Sequence, residues 1–305
     1  MLRAQLRPKV VTPMALMRRA YTQPPQARRR VGYGTMGTTV IASSCVAYFV
    51  GVHYPPRWNP FLFMRTKHEI HGADKLSDSE YCAAVERRMH ELPFVKQLQA
   101  HSFDAPSAKR VKAAAGVPET GEGKSKEEAH YYAVRPFTNL PPERLEHNLT
   151  GSTLRGRDRF AVTPLVFSKT EKGAADLGGR VGDGYAIIHI GRDISGFEGV
   201  IHGGMIATLF DEALARSAMH ALPNNIGVTA RLDINYRRPV PVDQFIVIET
   251  QIIENAGRKA IVKAELRDVD SHTVLAEADS VFVEPKMAKF MKWVGGLNVK
   301  RMLEE

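Results

Sequence analysis

Residues 199–214 read Gly199-Val200-Ile201-His202-Gly203-Gly204-Met205-Ile206-Ala207-Thr208-Leu209-Phe210-Asp211-Glu212-Ala213-Leu214. Ile206, Leu209, Phe210, Ala213 and Leu214 recur at three- and four-residue spacing, which predicts a helix with one apolar face. Pro223 and the Asn224-Asn225 pair predict its end. Working outward, two short β-rich runs precede it, at 160–167 and 185–190, and four strands follow. The first of these, 228–236, alternates: Val228, Ala230, Leu232, Ile234 and Tyr236 lie on one face, Thr229, Arg231, Asp233 and Asn235 on the other. The others, 245–253, 260–267 and 274–283, are separated by turns at Asn255-Ala256-Gly257 and at 268–272. One central helix within a mostly antiparallel sheet predicts an α+β domain, with the sheet curved around the helix.

Composition divides the chain of 305 residues. Lys and Arg number 42 against 33 Asp and Glu, a formal charge of +9, which by itself points to an anionic partner. Yet residues 1–68 contain 11 basic residues and no acid, so the remaining 237 hold 31 basic and 33 acidic side chains. The body is slightly acidic, and no nucleic-acid partner is expected. The two cysteines, Cys45 and Cys82, exclude a disulfide framework and a cysteine zinc site.

Residues 1–30 are Arg-rich, acid-free and amphipathic around 10–20, the composition of a mitochondrial presequence; a basic arm for acidic lipid or RNA is the alternative. Residues 31–54 are expected to form a transmembrane helix. Their first 22, 31–52, carry no charge, and ~33 Å of helix crosses a hydrocarbon core of ~30 Å. The span is glycine-rich and lacks leucine, so a buried, non-membrane segment is the competing reading. Residues 55–130 read as a helical linker region. A capping box at Ser77-Asp78-Ser79-Glu80 opens a helix that Pro93 stops, and a loop near 103–130 has almost no large apolar side chain and is expected to be disordered. The α+β domain is placed at 131–285, and residues 286–305 form a basic amphipathic tail suited to a membrane surface or to packing on the domain.

Several motifs fail on context. Gly32-x-Gly34-x-x-Gly37 follows an arginine run and no strand, so it is not a dinucleotide site. Gly123-Lys124-Ser125 lacks the first glycine of a phosphate loop, and no G-x-S-x-G is present. No metal site and no cofactor is expected.

The order β-β-α-β-β-β-β, the His202-Gly203-Gly204 turn with Asp211 nine residues after the histidine, and the strand Asn235-Tyr236-Arg237-Arg238-Pro239 together resemble the hotdog-fold acyl-CoA thioesterase superfamily, in its mitochondrial His-Gly-Gly…Asp branch. The resemblance spans roughly 160–284 and implies hydrolysis of acyl-CoA to free acid and coenzyme A, the coenzyme being part of the substrate. It implies that Asp211 acts as general base on water or as nucleophile, and that the partner subunit supplies the His-Gly-Gly turn, so at least a homodimer.

The chemistry agrees. A thioester carbonyl under attack develops an oxyanion, and the free N–H groups of a helix N-terminus are preorganised donors for it. Gly203 and Gly204 carry no side chain to hold substrate away. His202 either hydrogen-bonds the turn or acts directly. Glu212 is the second candidate carboxylate, about 100° around the helix from Asp211. Asp211 itself has a plainer reading, as a solvated acid paired with Arg216 or a strand. Thr229 stands where the family often places a hydroxyl that orients water or carboxylate, or is an ordinary strand residue. Arg237 and Arg238 are candidates for coenzyme A phosphates, or surface ion pairs. One departure stands out: Gly196 occupies the position, six before the histidine, where some relatives carry a water-orienting amide. The leading expectation is an acyl-CoA thioesterase at the mitochondrial inner membrane; the alternative is a non-catalytic hotdog scaffold in a mitochondrial membrane assembly. A hydratase, which needs another Asp/His spacing, is the weakest reading.

Overall fold

The capping box at Ser77 forms as read. In the computed structural model, which describes residues 75–118 and 124–289, the Ser77 hydroxyl accepts the Glu80 N–H at 3.4 Å and the Glu80 carboxylate accepts the Ser77 N–H at 2.8 Å. They open α1 (Asp78–Glu91). Pro93 then occupies the first turn of α2 (Pro93–Gln99), where its missing N–H costs nothing. Tyr81, Val85, Met89, Leu92, Val95 and Leu98 form the buried face of this pair.

The expectation of a disordered loop near 103–130 is corrected. Residues Ser102–Asp104 form strand β1, and Pro106–Ala114 form helix α3. The composition misleads because this helix packs through small groups, Ser107 and Ala108, and through Lys112, whose ammonium is buried on the Asp104 carboxylate. Residues 119–123 of the expected loop lie outside the described residues.

The chain continues through β2 (Tyr131–Val134), α4 (Pro142–Leu145), β3 (Leu165–Lys169), α5 (Glu171–Leu177) and β4 (Gly184–Ile190). The expected strand at 160–167 begins only at Leu165, because Pro164 has no N–H to give a ladder. A small hairpin, β5 (Ser195–Phe197) with β6 (Val200–Ile201), leads into the central helix α6 (Gly203–Ala221). Then come β7 (Val228–Tyr236), β8 (Gln244–Ala256), β9 (Lys259–Asp268) and β10 (Val274–Val283).

Eight strands form one sheet in the order β1-β2-β3-β4-β8-β9-β10-β7, antiparallel except for β1 with β2. Its two faces bury different partners. On one, Ile206, Leu209, Phe210, Leu214 and Ala218 of α6 pack on Ile246, Ile248, Val262 and Leu266. On the other, α1 and α2 pack on Ala133, Leu165, Phe167, Ile187 and Phe245. At ~1.5–3 kcal/mol for each large apolar side chain fully buried, both faces contribute materially to stability. The sheet therefore starts at Ser102, earlier than the boundary placed at 131, and α1 to α3 belong to the same compact unit as the sheet. Strand β7 lies at the sheet's edge with β10 as its one neighbour, and Val228 and Tyr236 stay more than half exposed.

The presequence at 1–30, the span at 31–54 and the tail from residue 290 lie outside the described residues. Among the described residues, no helix is long and apolar enough to cross a membrane.

Candidate active site

His202 stands at the N-cap of α6 in extended backbone (φ −64°, ψ 131°), and its Nδ1 accepts the Gly204 N–H at 3.0 Å. Its carbonyl takes the N–H groups of Met205 (2.8 Å) and Ile206 (3.2 Å). The one first-turn donor left without an acceptor, among the described residues, is the Gly203 N–H. With Nδ1 accepting, a neutral His202 ring carries its proton on Nε2. The hydrogen bond of the capping reading of His202 is present. The Gly203 carbonyl accepts from Tyr236 Oη at 3.0 Å, so the end of β7 ties down the turn. Sequence reading missed this role for Tyr236; its one signal was a tyrosine at the end of the alternating strand.

Gly196 packs against this turn. A Cβ there would sit 3.0 Å from the His202 Cα and 3.2 Å from its ring, so a side chain at this position needs the turn to shift by a few tenths of an ångström.

Asp211 lies two turns into α6, and its Oδ1 accepts the Thr229 hydroxyl at 2.7 Å. This bond to a neighbouring strand fits both the orienting-hydroxyl reading of Thr229 and the plainer reading of Asp211, and no Asp211–Arg216 pair is present among the described residues. Glu212 leaves this cluster: its Oε1 accepts the Thr150 hydroxyl at 2.9 Å, on another flank of the helix. Glu212, the second candidate, thus faces Thr150 and not the Asp211–Thr229 pair. The cause is the 100° step per residue, which turns neighbours on a helix to different surroundings.

Arg237 and Arg238 separate in the same way. Arg237 is held by Glu277 (Nε 3.0 Å, Nη2 2.7 Å), and that carboxylate pushes its pKa further up. The surface ion pair is thus the state of Arg237. The Arg238 side chain has no partner among the described residues, and it lines an open depression with Val200, Gly203, Tyr236, Arg237 and Pro239.

From Gly203 to Asp211 is eight residues, ~12 Å along a helix axis. One subunit's donor and its own carboxylate therefore cannot face one carbonyl.

Residues 198–275 match the family described as the thioesterase superfamily. A UPF0644 protein of Schizosaccharomyces pombe is 34% identical over 160 residues, 51% of this chain and 59% of that protein. The acyl-coenzyme A thioesterase THEM4 of Bos taurus is 36% identical over 94 residues, 31% of this chain and 38% of that enzyme. The mitochondrial membrane protein FMP10 of Saccharomyces cerevisiae is 31% identical over 205 residues, 67% of this chain and 66% of that protein. The chain thus spans less than two thirds of each of these relatives. The matched segment runs from the hairpin through α6 and β7 to β10, and it contains the His-Gly-Gly turn, Asp211 and Thr229. With their helix packed on a mostly antiparallel sheet, residues 198–275 of this chain form a domain of the thioesterase superfamily.

Proposed function

We propose that the protein hydrolyses acyl-CoA thioesters, with Asp211 of one subunit and the Gly203 N–H of its partner acting on the same carbonyl. The observation that carries this reading is the Thr229 hydroxyl at 2.7 Å from Asp211 Oδ1, which fixes one carboxylate oxygen and leaves the other for water or for the thioester. As general base, Asp211 takes a proton from water as the oxygen attacks. As nucleophile, it forms an anhydride that water then cleaves. Either way the carbonyl oxygen gathers charge, and the free N–H at the α6 N-terminus meets it with a donor and the positive end of the helix dipole. His202 holds the turn by capping Gly204. Arg238 offers its unengaged guanidinium to the phosphates of coenzyme A beside this turn.

A homodimer is part of the proposal. The ~12 Å between Gly203 and Asp211 requires it, and the edge of β7, with Val228 and Tyr236 exposed, offers a surface for it. The place of action is the mitochondrial inner membrane, supported by the acid-free arginine-rich N-terminus, the uncharged stretch after it and the name of the yeast relative. A second reading, a non-catalytic scaffold, is favoured by Gly196, which brings no amide to orient water.

Release of coenzyme A from acyl-CoA by the full chain tests the proposal. Asp211→Asn should abolish turnover, whereas an unimpaired variant removes Asp211 from the mechanism. Absence of turnover by the unaltered protein with every chain length favours the scaffold.

A further inference from the structure

The first turn of α6 contains two consecutive glycines, Gly203 and Gly204, and residues without a Cβ keep one backbone direction only when their surroundings restrain them. The proposed hydrolysis depends on that direction, because a donor helps a developing oxyanion only if it is already aimed. What restrains the turn is one peptide unit gripped at both ends. The unit between Gly203 and Gly204 carries the Gly203 carbonyl and the Gly204 N–H. The carbonyl accepts from Tyr236 Oη at 3.0 Å, and the N–H donates to His202 Nδ1 at 3.0 Å. The phenol thus reaches the imidazole through a single amide plane.

Each link depends on the residue that stands there. A Cβ on Gly204 would lie 3.0 Å from His202 Nδ1 and 3.1 Å from its Cε1, tighter than an ordinary contact, so glycine lets the ring come down on the amide. A Cβ on Gly203 would lie 3.8 Å from the Tyr236 ring and hydroxyl, so the phenol rests against the turn. Tyr236 is the last residue of β7, and its pairing with Ala276 of β10 sets where the phenol stands.

Donation into an amide carbonyl polarises the N–H of the same amide, so hydrogen bonds in a chain strengthen one another. Here the phenol makes the Gly204 N–H a better donor to Nδ1. A neutral imidazole that accepts at Nδ1 carries its proton on Nε2, and Nε2 has no partner among the described residues. Fixing this amide plane also fixes the backbone of Gly203, whose own N–H is the donor proposed for the oxyanion.

We infer that Tyr236 is a positioning residue: through the Gly203–Gly204 amide it aims the Gly203 N–H and holds the His202 proton on Nε2. The effect on rate rests on the proposed thioester hydrolysis, whereas the hydrogen-bond relay itself is measured without substrate.

The test is Tyr236→Phe in the full chain, which keeps the ring and removes the hydroxyl. By NMR of protein carrying isotope-labelled glycine and leucine, the variant should move the Gly204 amide proton upfield and speed its exchange with solvent about three- to tenfold, as for loss of one hydrogen bond. The Leu214 amide, two turns beyond Ala207, should keep its exchange rate. For acyl-CoA, kcat should fall about three- to tenfold with KM unchanged. Refolding Tyr236→Phe with Asp211→Asn in equal amounts should return at least about a quarter of the unaltered rate, because each mixed dimer joins one intact Asp211 to an intact Tyr236 and Gly203. The inference fails if the Gly204 amide is unchanged in Tyr236→Phe, or if kcat is unchanged while Asp211→Asn abolishes turnover. Faster exchange throughout α6, with a raised KM, marks a general structural role and overturns it as well. A Gly204 response in a protein with no turnover supports the relay and overturns the hydrolysis reading instead.

Discussion

Replacing Gly203 by proline removes one hydrogen-bond donor and little else. Gly203 is the first helical residue of α6, the position at which proline is well tolerated because that N–H has no helical acceptor. The residue before a proline must be extended, and His202 already is, at φ −64° and ψ 131°. A Cβ at Gly203 meets the Tyr236 ring at 3.8 Å, an ordinary contact. The helix and the His202–Gly204 cap should therefore survive, with a melting temperature near that of the unaltered protein. The lost donor is the one proposed for the oxyanion, so kcat should fall by about 10²–10³, equivalent to ~2.7–4 kcal/mol. The assay is coenzyme A release at saturating acyl-CoA, with circular dichroism to verify the fold. Gly203→Ala is the control, since it adds a similar Cβ and keeps the N–H. If proline and alanine slow the reaction equally, bulk and not the donor is responsible, and the oxyanion role of Gly203 is refuted.

Other consequences follow from named contacts. Thr229→Val removes the hydroxyl on Asp211 and should lower kcat by roughly ten- to a hundredfold, as for a hydrogen bond to a charged group of ~1.5–3 kcal/mol, with Thr229→Ser restoring most of it. His189 is fully buried, neither ring nitrogen has a partner among the described residues, and burial lowers its pKa from 6.5 to about 4 against a weaker opposing pull from Asp243. The folded state thus resists protonation: stability is full above pH 6.5 and falls as pH drops toward 4, by up to ~3 kcal/mol. Urea titrations across that range should show His189→Leu more stable and with a flatter pH dependence. Arg135, just after β2, is buried against Glu86 of α1, so Arg135→Met alone should cost ~3–5 kcal/mol by leaving the buried carboxylate with His90 as its remaining partner. Arg135→Met with Glu86→Leu should recover much of that loss in the same denaturation assay.

How much of this was legible in the sequence depended on what carried the signal. The central helix and its four following strands were readable because each buries one face, which writes a period into the residues. The resemblance placed a hydroxyl at Thr229 but left open whether it serves water, a carboxylate or neither; its partner, Asp211, lies 18 residues away in sequence. Helix α3 was not readable, since it packs through Ser107, Ala108 and a buried Lys112, residue types that also compose linkers. Spacing turned Glu212 away from Asp211 but did not give its destination, Thr150, 62 residues away in sequence. Tyr236 on the Gly203 carbonyl and Glu277 on Arg237 are likewise contacts between distant segments, and no local pattern announces them.

The central claim is that one site is made by two subunits, with Asp211 from one and Gly203 from the other. Complementation between Asp211→Asn and Gly203→Pro tests it most directly. Each variant alone should be nearly inactive. Unfolding and refolding them together in equal amounts makes about half of the dimers mixed, each with one intact site of two, so about a quarter of the unaltered rate should return. A mixture that stays as inactive as its components contradicts the shared site.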